Sequence, residues 1–476
     1  MKLRGGYDVL LAGRPAGRVE VLPEPQTLYL PLRSRRFAFS EVLVQEGQRV
    51  RPGEVLAEDP ANYSVPLIAP RAGTVRLESA EGHVVLEQVA AEPEEPYDAR
   101  EDATHVPKDA DPAEVKRRKL VALGAWQFLY DAHDKSLPDP QAAPRAVIAS
   151  TLNLEPFTAR GDVQLGKRLT GFIRGLEHLQ LLLEYQPIFL VLPEIDSDLV
   201  RHVLETIRGY AWVKPVEMPR VTPRYPFDDF ALLARNLGFP RERGSSVWAV
   251  RTEGVLAIDR ALTLSRPCTV RIVSLGGPPV KEPMHLKAMP GYPLQAVLDG
   301  RIESGPVRVV NGGALTGEAV GEETLGLDAE CMALTVLPDG GPREFLGFAR
   351  PGWDRRSYHG SFLSALRKPF AERLTTEFRG ERRACVACCV CEEVCPAGIW
   401  PHLIHKHLYR DDLEEAEAAR LDLCVECGLC SYVCPSKIDL LEQFVAAKKA
   451  IKEELETEEA QKQEKDDQAA SEEASA

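Results

Sequence analysis

Cysteine is the residue type with the most evident chemistry in this sequence. Nine of its eleven cysteines lie between residues 385 and 434 of a 476-residue chain. Two runs share the spacing CxxCxxCxxxCP: Cys385, Cys388, Cys391 and Cys395 before Pro396, and Cys424, Cys427, Cys430 and Cys434 before Pro435. Thiolates at this spacing are typical ligands of iron-sulfur clusters. Such clustering in a long chain favours metal over a disulfide framework.

The two runs resemble the motif of bacterial two-cluster ferredoxins, in which three cysteines hold one cubane and the fourth serves the other cluster. The resemblance implies a first [4Fe-4S] cluster, cluster 1, on Cys385, Cys388, Cys391 and Cys434. It implies a second, cluster 2, on Cys395, Cys424, Cys427 and Cys430. Crossed ligands would tie both runs into one small domain and bring the clusters close together, as an electron relay requires.

Structural zinc is the alternative ligand for these cysteines, because CxxC pairs also build zinc sites. The four-plus-four count and the proline after each fourth cysteine favour the clusters.

Cys389 is the fifth cysteine of the stretch CVACCVCEEVCP and has no place in the motif. Aligning the two runs sets Cys389 opposite Gly428, between the second and third ligands. Glycine suits a position where the backbone turns tightly around a cluster, and cysteine must tolerate the same conformation there. We expect Cys389 to be a compact filler. The alternative is a thiol that substitutes as a ligand of cluster 1 or adjusts its potential.

Three histidines lie between the runs, in the helical pattern HLIHKHLYRDDLEEAEAARL. His402, His405 and His407 have no HExxH arrangement and no nearby acid at ligand spacing. We therefore expect them at the solvent-facing start of a helix.

The elements that must position these residues belong to a long, acidic chain. A length of 476 residues exceeds the size at which one core keeps growing, so several domains are expected. The net charge of −14 argues against a nucleic-acid partner. Residues 452–476 hold ten acids and three bases, which predicts a disordered acidic tail.

Membrane spans are not evident in the sequence. The most apolar segment, LQLLLEYQPIFLVLP at 179–193, is interrupted by Glu184 and Gln186 and is too short to cross a bilayer. The amino terminus has no apolar stretch of signal-peptide length. We expect a cytoplasmic protein that meets the inner face of the membrane through partner subunits.

Residues 41–76 contain short β-type runs separated by the turn signals EGQ, RPG and RAG. The pattern resembles the barrel-sandwich hybrid of biotinyl and lipoyl domains, in which a lysine on a hairpin carries the cofactor. The corresponding hairpin here is expected from Asp59 to Ser64, and no lysine occurs between Lys2 and Lys108. We therefore expect no biotin or lipoate.

Alternating strand-like and helical segments follow an acidic connector near residues 92–112. AVIAS (146–150) and PIFLVLP (187–193) indicate buried parallel strands, with helices near 163–184 and 196–210. The pattern predicts an α/β layer structure.

Glycine-rich phosphate loops are poorly represented in the central region. The stretch near Gly124 has a single glycine, whereas a flavin or nucleotide site would need several. VRIVSLGGPPVKEP (270–283) and VRVVNGGALTG (307–317) lack GxGxxG or GxxxxGK spacing, and strand turns of a small β-grasp-like domain explain them at least as well. Cys268 and Cys331 are predicted to be small buried apolar residues.

The chain up to about residue 365 resembles the A subunit of the sodium-pumping NADH:quinone oxidoreductase, Nqr. The resemblance rests on collinear stretches: LRGGYDVLLAGRP at the start, LGAWQFL near 123, VWAV at 247, IVSLGGPPVKEP at 272 and EFLGFARPGWDRRS at 344. It implies contact with quinone, for which no residue is named, and ion coupling that would lie in membrane-embedded partner subunits.

Residues 385 to about 452 resemble the C subunit of the Rnf complex, in CPAGIWPHL and LCVECGLCSYVCPSKIDLLEQFVAAKKAI. The Rnf protein also has barrel-sandwich-like, β-grasp and flavin-type α/β domains, the last related to the flavin- and NADH-binding subunit of complex I. PRAVIASTLNLEPFTARGD, with Asn153, Glu155 and Pro156, is similar to a strand and loop of that family. Where the family has a GGxxFP-like flavin loop, this chain has LGAWQFLYD, so we expect no FMN and no NADH site of its own.

These patterns together predict a multidomain α+β protein. The expected order is an all-β barrel-sandwich hybrid at 1–100, an α/β core related to the complex I flavin-subunit fold at 101–255, a β-grasp (SLBB-like) domain at 256–350, a connector at 351–380, an α-helical bacterial-type dicluster ferredoxin domain at 381–451 and the acidic tail at 452–476.

The two resemblances imply an electron-transfer function. We expect a peripheral subunit of an Nqr/Rnf-type membrane-bound NADH(or ferredoxin):quinone oxidoreductase. Electrons would come from a soluble donor, either an NADH dehydrogenase module or ferredoxin, and pass through two [4Fe-4S] clusters. No catalytic acid, base or nucleophile is predicted, because the chemistry is one-electron transfer at iron. The alternatives are a soluble iron-sulfur adaptor for a cytoplasmic reductase and an assembly factor in which the clusters are structural.

Overall fold

The computed structural model describes residues 1–77, 80–90, 111–183, 186–210, 216–242, 244–340, 366, 370–376, 382–455 and 457. The chain divides into two compact units. The larger comprises Met1–Leu3, Asp8–Arg343 and Pro369–Glu377, and the smaller comprises Arg4–Tyr7, Glu344–Lys368 and Phe378–Ala476. The stretch EFLGFARPGWDRRS, most of the predicted connector and most of the predicted acidic tail lie outside the described residues.

Two antiparallel sheets form the first part of the larger unit, as expected of a barrel-sandwich hybrid. One has the order β2-β8-β7-β4, built from β2 (Leu28–Pro31), β4 (Arg49–Val50), β7 (Gly73–Arg76) and β8 (His83–Glu87). The other has the order β3-β5-β6, built from β3 (Glu41–Val42), β5 (Val55–Asp59) and β6 (Val65–Ile68). Leu30, Leu56 and Val84 are fully buried in the core that these sheets share with the rest of the unit.

The predicted hairpin from Asp59 to Ser64 joins β5 to β6, which pair antiparallel. The Asp59 carboxylate is buried and accepts hydrogen bonds from the backbone N–H groups of Ala38 at 2.8 Å and Ala61 at 3.1 Å. Tyr63 is exposed at this hairpin and has a positive φ of 56°. The hairpin is thus a fixed turn that offers no amine for a prosthetic group.

A five-stranded sheet follows, with the order β12-β11-β10-β13-β9. Its strands are β9 (Leu129–Asp131), β10 (Val147–Ser150), β11 (Ile188–Pro193), β12 (Arg220–Val221) and β13 (Trp248–Arg251). The two predicted strands, β10 and β11, are parallel neighbours and almost wholly buried, as expected. Only β9 runs antiparallel to its neighbour.

Six helices accompany this sheet in the described residues: α1 (Pro112–Ala122), α2 (Gly161–Leu165), α3 (Leu169–Leu182), α4 (Asp198–Arg208), α5 (Phe230–Asn236) and α6 (Thr252–Leu264). The single helix expected near 163–184 is two helices. Gly166 ends α2 with a φ of 49°, a left-handed conformation that interrupts the helical ladder.

A six-stranded sheet completes the larger unit, with the order β1-β15-β14-β18-β16-β17. Its strands are β1 (Val19–Val21), β14 (Arg271–Gly276), β15 (Met284–Ala288), β16 (Val307–Asn311), β17 (Glu318–Ala319) and β18 (Ala333–Pro338), with helix α7 (Leu294–Leu298). Strands β14 and β15 pair antiparallel, and β14 also pairs parallel with β18. Strand β1, from far earlier in the chain, adds to β15 in parallel.

Helices joined by loops make up the described part of the smaller unit. Four of the helices are short: α8 (Val390–Val394), α9 (Pro401–Leu408), α10 (Leu413–Ala418) and α11 (Leu429–Tyr432). A longer helix, α12, follows over residues 440–455. Helix α12 continues past residue 452, where the acidic tail was expected to begin. Among the helices of the described ranges, none has the length and apolarity needed to cross a membrane.

Candidate iron-sulfur centre

The four cysteines predicted to hold cluster 1 line one cavity of the smaller unit: Cys385, Cys388, Cys391 and Cys434. Three come from the first run and the fourth comes from the second. The cavity encloses about 360 Å³, including the part that is open to solvent. Pro435, directly after the fourth cysteine, is also in its lining.

The four cysteines predicted to hold cluster 2 line a second cavity: Cys395, Cys424, Cys427 and Cys430. Here the first run supplies one cysteine and the second run supplies three. Its volume is about 370 Å³, so the two cavities are nearly equal in size. The chain therefore brings together the two crossed sets that the sequence suggested, and their role as iron ligands remains a prediction.

The backbone repeats its conformation in the two cysteine runs. Ala387 and Glu426, two residues after the first cysteine of each run, have φ values of 51° and 58°. Cys389 and Gly428 have φ values of 60° and 74°, and each caps the helix that carries the third cysteine, α8 or α11. This repetition supports the alignment that leaves Cys389 as the surplus cysteine.

Burial raises the thiol pKa values in both cavities. In the first, burial and then the neighbouring cysteines raise the pKa of Cys391 to about 12. In the second, burial raises the pKa of Cys424 to about 11 and that of Cys430 well above its usual range. A thiolate without a counter-charge is thus unfavourable here, and bound iron would supply the missing positive charge. The four predicted ligand sulfurs at each cavity fit a [4Fe-4S] cluster, and Cys389 is a fifth cysteine in the lining of the first cavity.

The histidines of α9 are less exposed than the sequence predicted. His402 and His405 both line the first cavity beside the cluster 1 cysteines. The Nδ1 atom of His405 is 2.7 Å from Oε1 of Gln443 on α12, and the side chain of His402 is only 13% exposed. The expectation of a solvent-facing helix start is wrong for these two residues, because α9 packs with this side toward the first cysteine run.

One lysine beside the second cavity had no signal in the sequence. Lys448 on α12 donates a hydrogen bond from Nζ to the carbonyl oxygen of Cys424 at 3.0 Å and forms an ion pair with Glu426. The contact depends on how α12 folds back over the second run, which residue spacing does not encode.

The glycine-rich turn at 307–317 is occupied by a carboxylate of its own chain. Glu155 accepts hydrogen bonds from the backbone N–H groups of Leu315 at 3.0 Å and Thr316 at 2.7 Å, and from the Thr316 hydroxyl at 2.8 Å. A Cβ atom on Gly313 would lie 2.3 Å from the Glu155 carboxyl carbon. A phosphate could not share these donors with Glu155, so the interpretation as a strand turn is the better one.

The LGAWQFLYD stretch is packed rather than open. Trp126 is fully buried, donates a hydrogen bond from its indole to the carbonyl of Pro138 at 2.8 Å and contacts Trp248 edge to face. A Cβ atom on Gly124 would lie 3.1 Å from Cδ1 of Ile68. Cys331 is buried as predicted, whereas Cys268 is half-buried. Burial raises the thiol pKa of Cys268.

Comparison with known families matches three parts of the chain. Residues 15–88 match the RnfC barrel sandwich hybrid domain, residues 272–322 match the NQRA C-terminal domain, and residues 384–439 match the 4Fe-4S dicluster domain. The A subunit of the Na(+)-translocating NADH-quinone reductase of Serratia proteamaculans is 27% identical over 429 residues, which cover 88% of this chain and 91% of the relative. Its counterpart from Pseudomonas aeruginosa is 28% identical over 422 residues, with the same coverage.

The chain is similar to the Nqr A subunit over most of its length, and it also matches a 4Fe-4S dicluster domain. The predicted resemblances to Nqr and Rnf subunits are confirmed, as is the barrel-sandwich hybrid within the first hundred residues. Two solved structures of an NAD+-reducing [NiFe]-hydrogenase, in the air-oxidized and H2-reduced states, are similar at TM-scores of 0.37 and 0.42. Their identities are 16% and 15%, and they cover 48% and 71% of this chain and 49% and 64% of the hydrogenase chains.

Proposed function

We propose that this protein is a peripheral electron-transfer subunit of an Nqr- or Rnf-type NADH(or ferredoxin):quinone oxidoreductase complex. It relays electrons through two [4Fe-4S] clusters. The observation that carries the proposal is the pair of similar cavities, each lined by the four cysteines predicted for its cluster, three from one run and one from the other.

The chain's own contribution is to hold and insulate the clusters. Cys385, Cys388, Cys391 and Cys434 would ligate cluster 1, and Cys395, Cys424, Cys427 and Cys430 would ligate cluster 2. When bound, the clusters supply one-electron redox chemistry. The apolar lining of the second cavity, which includes Ile399, Leu429 and Phe444, limits access of water and so influences the potential. No side chain is assigned an acid, base or nucleophilic role.

We further propose that the chain uses no FMN and has no NADH site. The support is the packing of Trp126 and Gly124, which leaves the backbone of this turn against Ile68 instead of free to approach a phosphate. Electrons would therefore enter from a separate donor, either an NADH dehydrogenase module or ferredoxin.

The partners are those that homology to a multi-subunit reductase implies. Membrane-embedded subunits of a redox complex would receive the electrons and carry out any ion coupling, with quinone as their acceptor. The chain would lie in the cytoplasm, against the inner face of the membrane. The net charge of −14 does not favour a nucleic-acid partner.

The test is iron and sulfide analysis of anaerobically purified protein, with low-temperature EPR after reduction. We expect about eight irons per chain and two magnetically interacting [4Fe-4S]⁺ signals. Cys434→Ser should perturb cluster 1 although it lies in the second run, whereas Cys268→Ser, outside the cysteine region, should change neither signal. Recovery of zinc alone, or of one cluster, would overturn the relay. Stoichiometric FMN in the purified protein would overturn the proposal that the chain uses no FMN. Failure to co-purify with membrane subunits would overturn the proposed membrane-embedded partners.

A further inference from the structure

Cys389, the surplus cysteine, lies beside an acid and a histidine. The Cys389 Sγ, a carboxylate oxygen of Glu392 and a ring nitrogen of His402 all lie within 4.8 Å of one another. All three residues are half-buried, and they come from the start of α8 and the first turn of α9. Thiolate sulfur, carboxylate oxygen and imidazole nitrogen are the three protein ligand types of Zn²⁺.

The imidazole of His402 lacks the partner that a buried ring nitrogen needs. Its Nδ1 atom is buried and has no hydrogen-bond partner in the described part of the chain. The nearest Glu392 oxygen, Oε2, is 3.9 Å away, which is too far for a hydrogen bond. Ligands of a tetrahedral zinc ion, with bonds of about 2.0–2.3 Å, are separated by roughly 3.5 Å. The distance from His402 Nδ1 to Glu392 Oε2 is therefore too long for a hydrogen bond. It is close to the distance that separates two ligand atoms of one zinc ion.

The backbone at Cys389 points to a use for its side chain. Its φ of 60° is a left-handed conformation that is unfavourable for a residue with a Cβ atom. Gly428, at the equivalent place in the second run, adopts a φ of 74° without that strain. A strained residue where glycine would fit is a reason to look for a role of the side chain. Its thiol donates a weak hydrogen bond to the carbonyl oxygen of Ala387, 3.5 Å from Sγ.

We propose that Cys389, Glu392 and His402 bind one Zn²⁺ ion, with water as the fourth ligand. The Cys389 sulfur, a Glu392 oxygen and a His402 nitrogen replace water ligands of the aqueous ion, which keeps one water, and the thiol proton of Cys389 is released to solvent with no change of oxidation state. The ion joins the first cysteine run to α9. None of the three ligands is among the eight cluster cysteines, although Cys389 and His402 also line the cavity assigned to cluster 1.

The test uses the full chain with its clusters loaded. The protein is equilibrated with a small excess of zinc sulfate and dialysed against metal-free buffer. Zinc and iron are then counted by mass spectrometry, and the zinc environment is read by X-ray absorption at the zinc edge. We expect one retained zinc per chain in addition to the cluster iron, with one sulfur at about 2.3 Å and the remaining ligands, all nitrogen or oxygen, at about 2.0–2.2 Å.

Substitutions identify the ligands. Cys389→Gly, Glu392→Gln and His402→Gln should each weaken zinc binding at least about tenfold, because loss of an outer-shell partner alone typically costs 10–100-fold. Glu393→Gln and His407→Gln, beside or near the ligands, should retain zinc. Cys389→Gly relieves backbone strain, so it should fold and keep both EPR signals even if the other variants do not. Absence of retained zinc, equal retention in Cys389→Gly, or a shell of four sulfurs would overturn the proposal.

Discussion

Gly6 donates a hydrogen bond from its backbone N–H to the carbonyl oxygen of Val394 at 2.9 Å. The segment Arg4–Tyr7 thereby belongs to the smaller unit, although its neighbours in sequence belong to the larger one. The preceding residue, Gly5, has a φ of 64°. A Cβ atom there would lie 2.5 Å from the carbonyl oxygen of Cys395, a predicted ligand of cluster 2.

Gly5→Ala should therefore disturb cluster 2. The substitution adds the strain of a left-handed alanine, about 1–2 kcal/mol, and a clash with the backbone of Val394 and Cys395 that requires the chain to shift there. Gly398→Ala is the matched control, because Gly398 has a φ of 72° and no atom within 4 Å of the added Cβ. Iron content and EPR of the two variants are the measurements. We expect loss of the cluster 2 signal in Gly5→Ala only, and equal spectra would show that Cys395 tolerates the displacement.

Lys448 should raise the reduction potential of cluster 2. Its ammonium group contacts the Cys424 carbonyl at 3.0 Å and is only 28% exposed, so its charge is partly shielded from solvent. Lys448→Met removes a positive charge that favours the reduced cluster. A charge interaction of roughly 1 kcal/mol corresponds to about 40 mV for one electron, so the potential should fall by tens of millivolts.

Redox titration followed by EPR measures this shift. Lys449→Met is the matched control, because Lys449 is the next residue of α12, is 77% exposed and pairs with Glu453. Its variant should shift the potential much less, since solvent screens an exposed charge. The same shift in both variants would mean that only net charge matters, and no shift in either would contradict the role of Lys448.

A buried ion pair links α6 to β14 in the larger unit. Glu253 accepts hydrogen bonds from the Arg271 guanidinium at 2.8 and 3.1 Å, and both side chains are less than 10% exposed. Glu253→Ala leaves a buried guanidinium without its partner and should cost about 3–5 kcal/mol in free energy of unfolding. Glu114→Ala, which breaks the exposed pair with Arg118, should cost less than about 1 kcal/mol.

Urea unfolding of both variants is the measurement. The double variant Glu253→Leu, Arg271→Met should recover much of the lost stability, because it leaves no unpaired buried charge. A small effect of Glu253→Ala would indicate that water reaches Arg271.

Local patterns in the sequence predicted the elements whose signals are themselves local. The cysteine spacing, the buried strands β10 and β11 and the hairpin from Asp59 to Ser64 all follow from residues close together in the chain. Long-range pairings had no such signal. Strand β1 pairs with β15 across more than 250 residues, and nothing in its own sequence identifies that neighbour.

The candidate site shows the same division. The resemblance to two-cluster ferredoxins divided the eight cysteines into two sets, and each set lines one cavity. The sequence predicted that His402 faces solvent. That prediction failed because the approach of His402 to Cys389 depends on the angle at which α9 leaves the first run, which the local sequence does not encode. Helix capping at Gly166 was missed because a glycine within a helical pattern is compatible with either a continuous or an interrupted helix.

Asp328 should make the stability of the larger unit depend on pH. Burial, and then repulsion from Glu330, raise its pKa from 3.8 to about 6. The folded protein then holds a proton that the unfolded chain has released, so the free energy of unfolding should fall as pH rises from about 4 to about 6. Above that window the loss is complete, and it amounts to roughly 2–3 kcal/mol at 1.36 kcal/mol per pKa unit.

Asp328→Asn should remove this dependence. The substituted amide side chain stays neutral, and its oxygen can still accept the hydrogen bond that the backbone N–H of Glu330 donates at 2.7 Å. The amide of Asn311, which donates to the other Asp328 oxygen, can turn over to accept from the new amide. Urea unfolding at pH 5 and pH 7, followed by the fluorescence of buried Trp126 and Trp248, compares the two proteins. The wild type should lose stability relative to the variant between these values, and parallel pH profiles would show that Asp328 already ionises as it does in the unfolded chain.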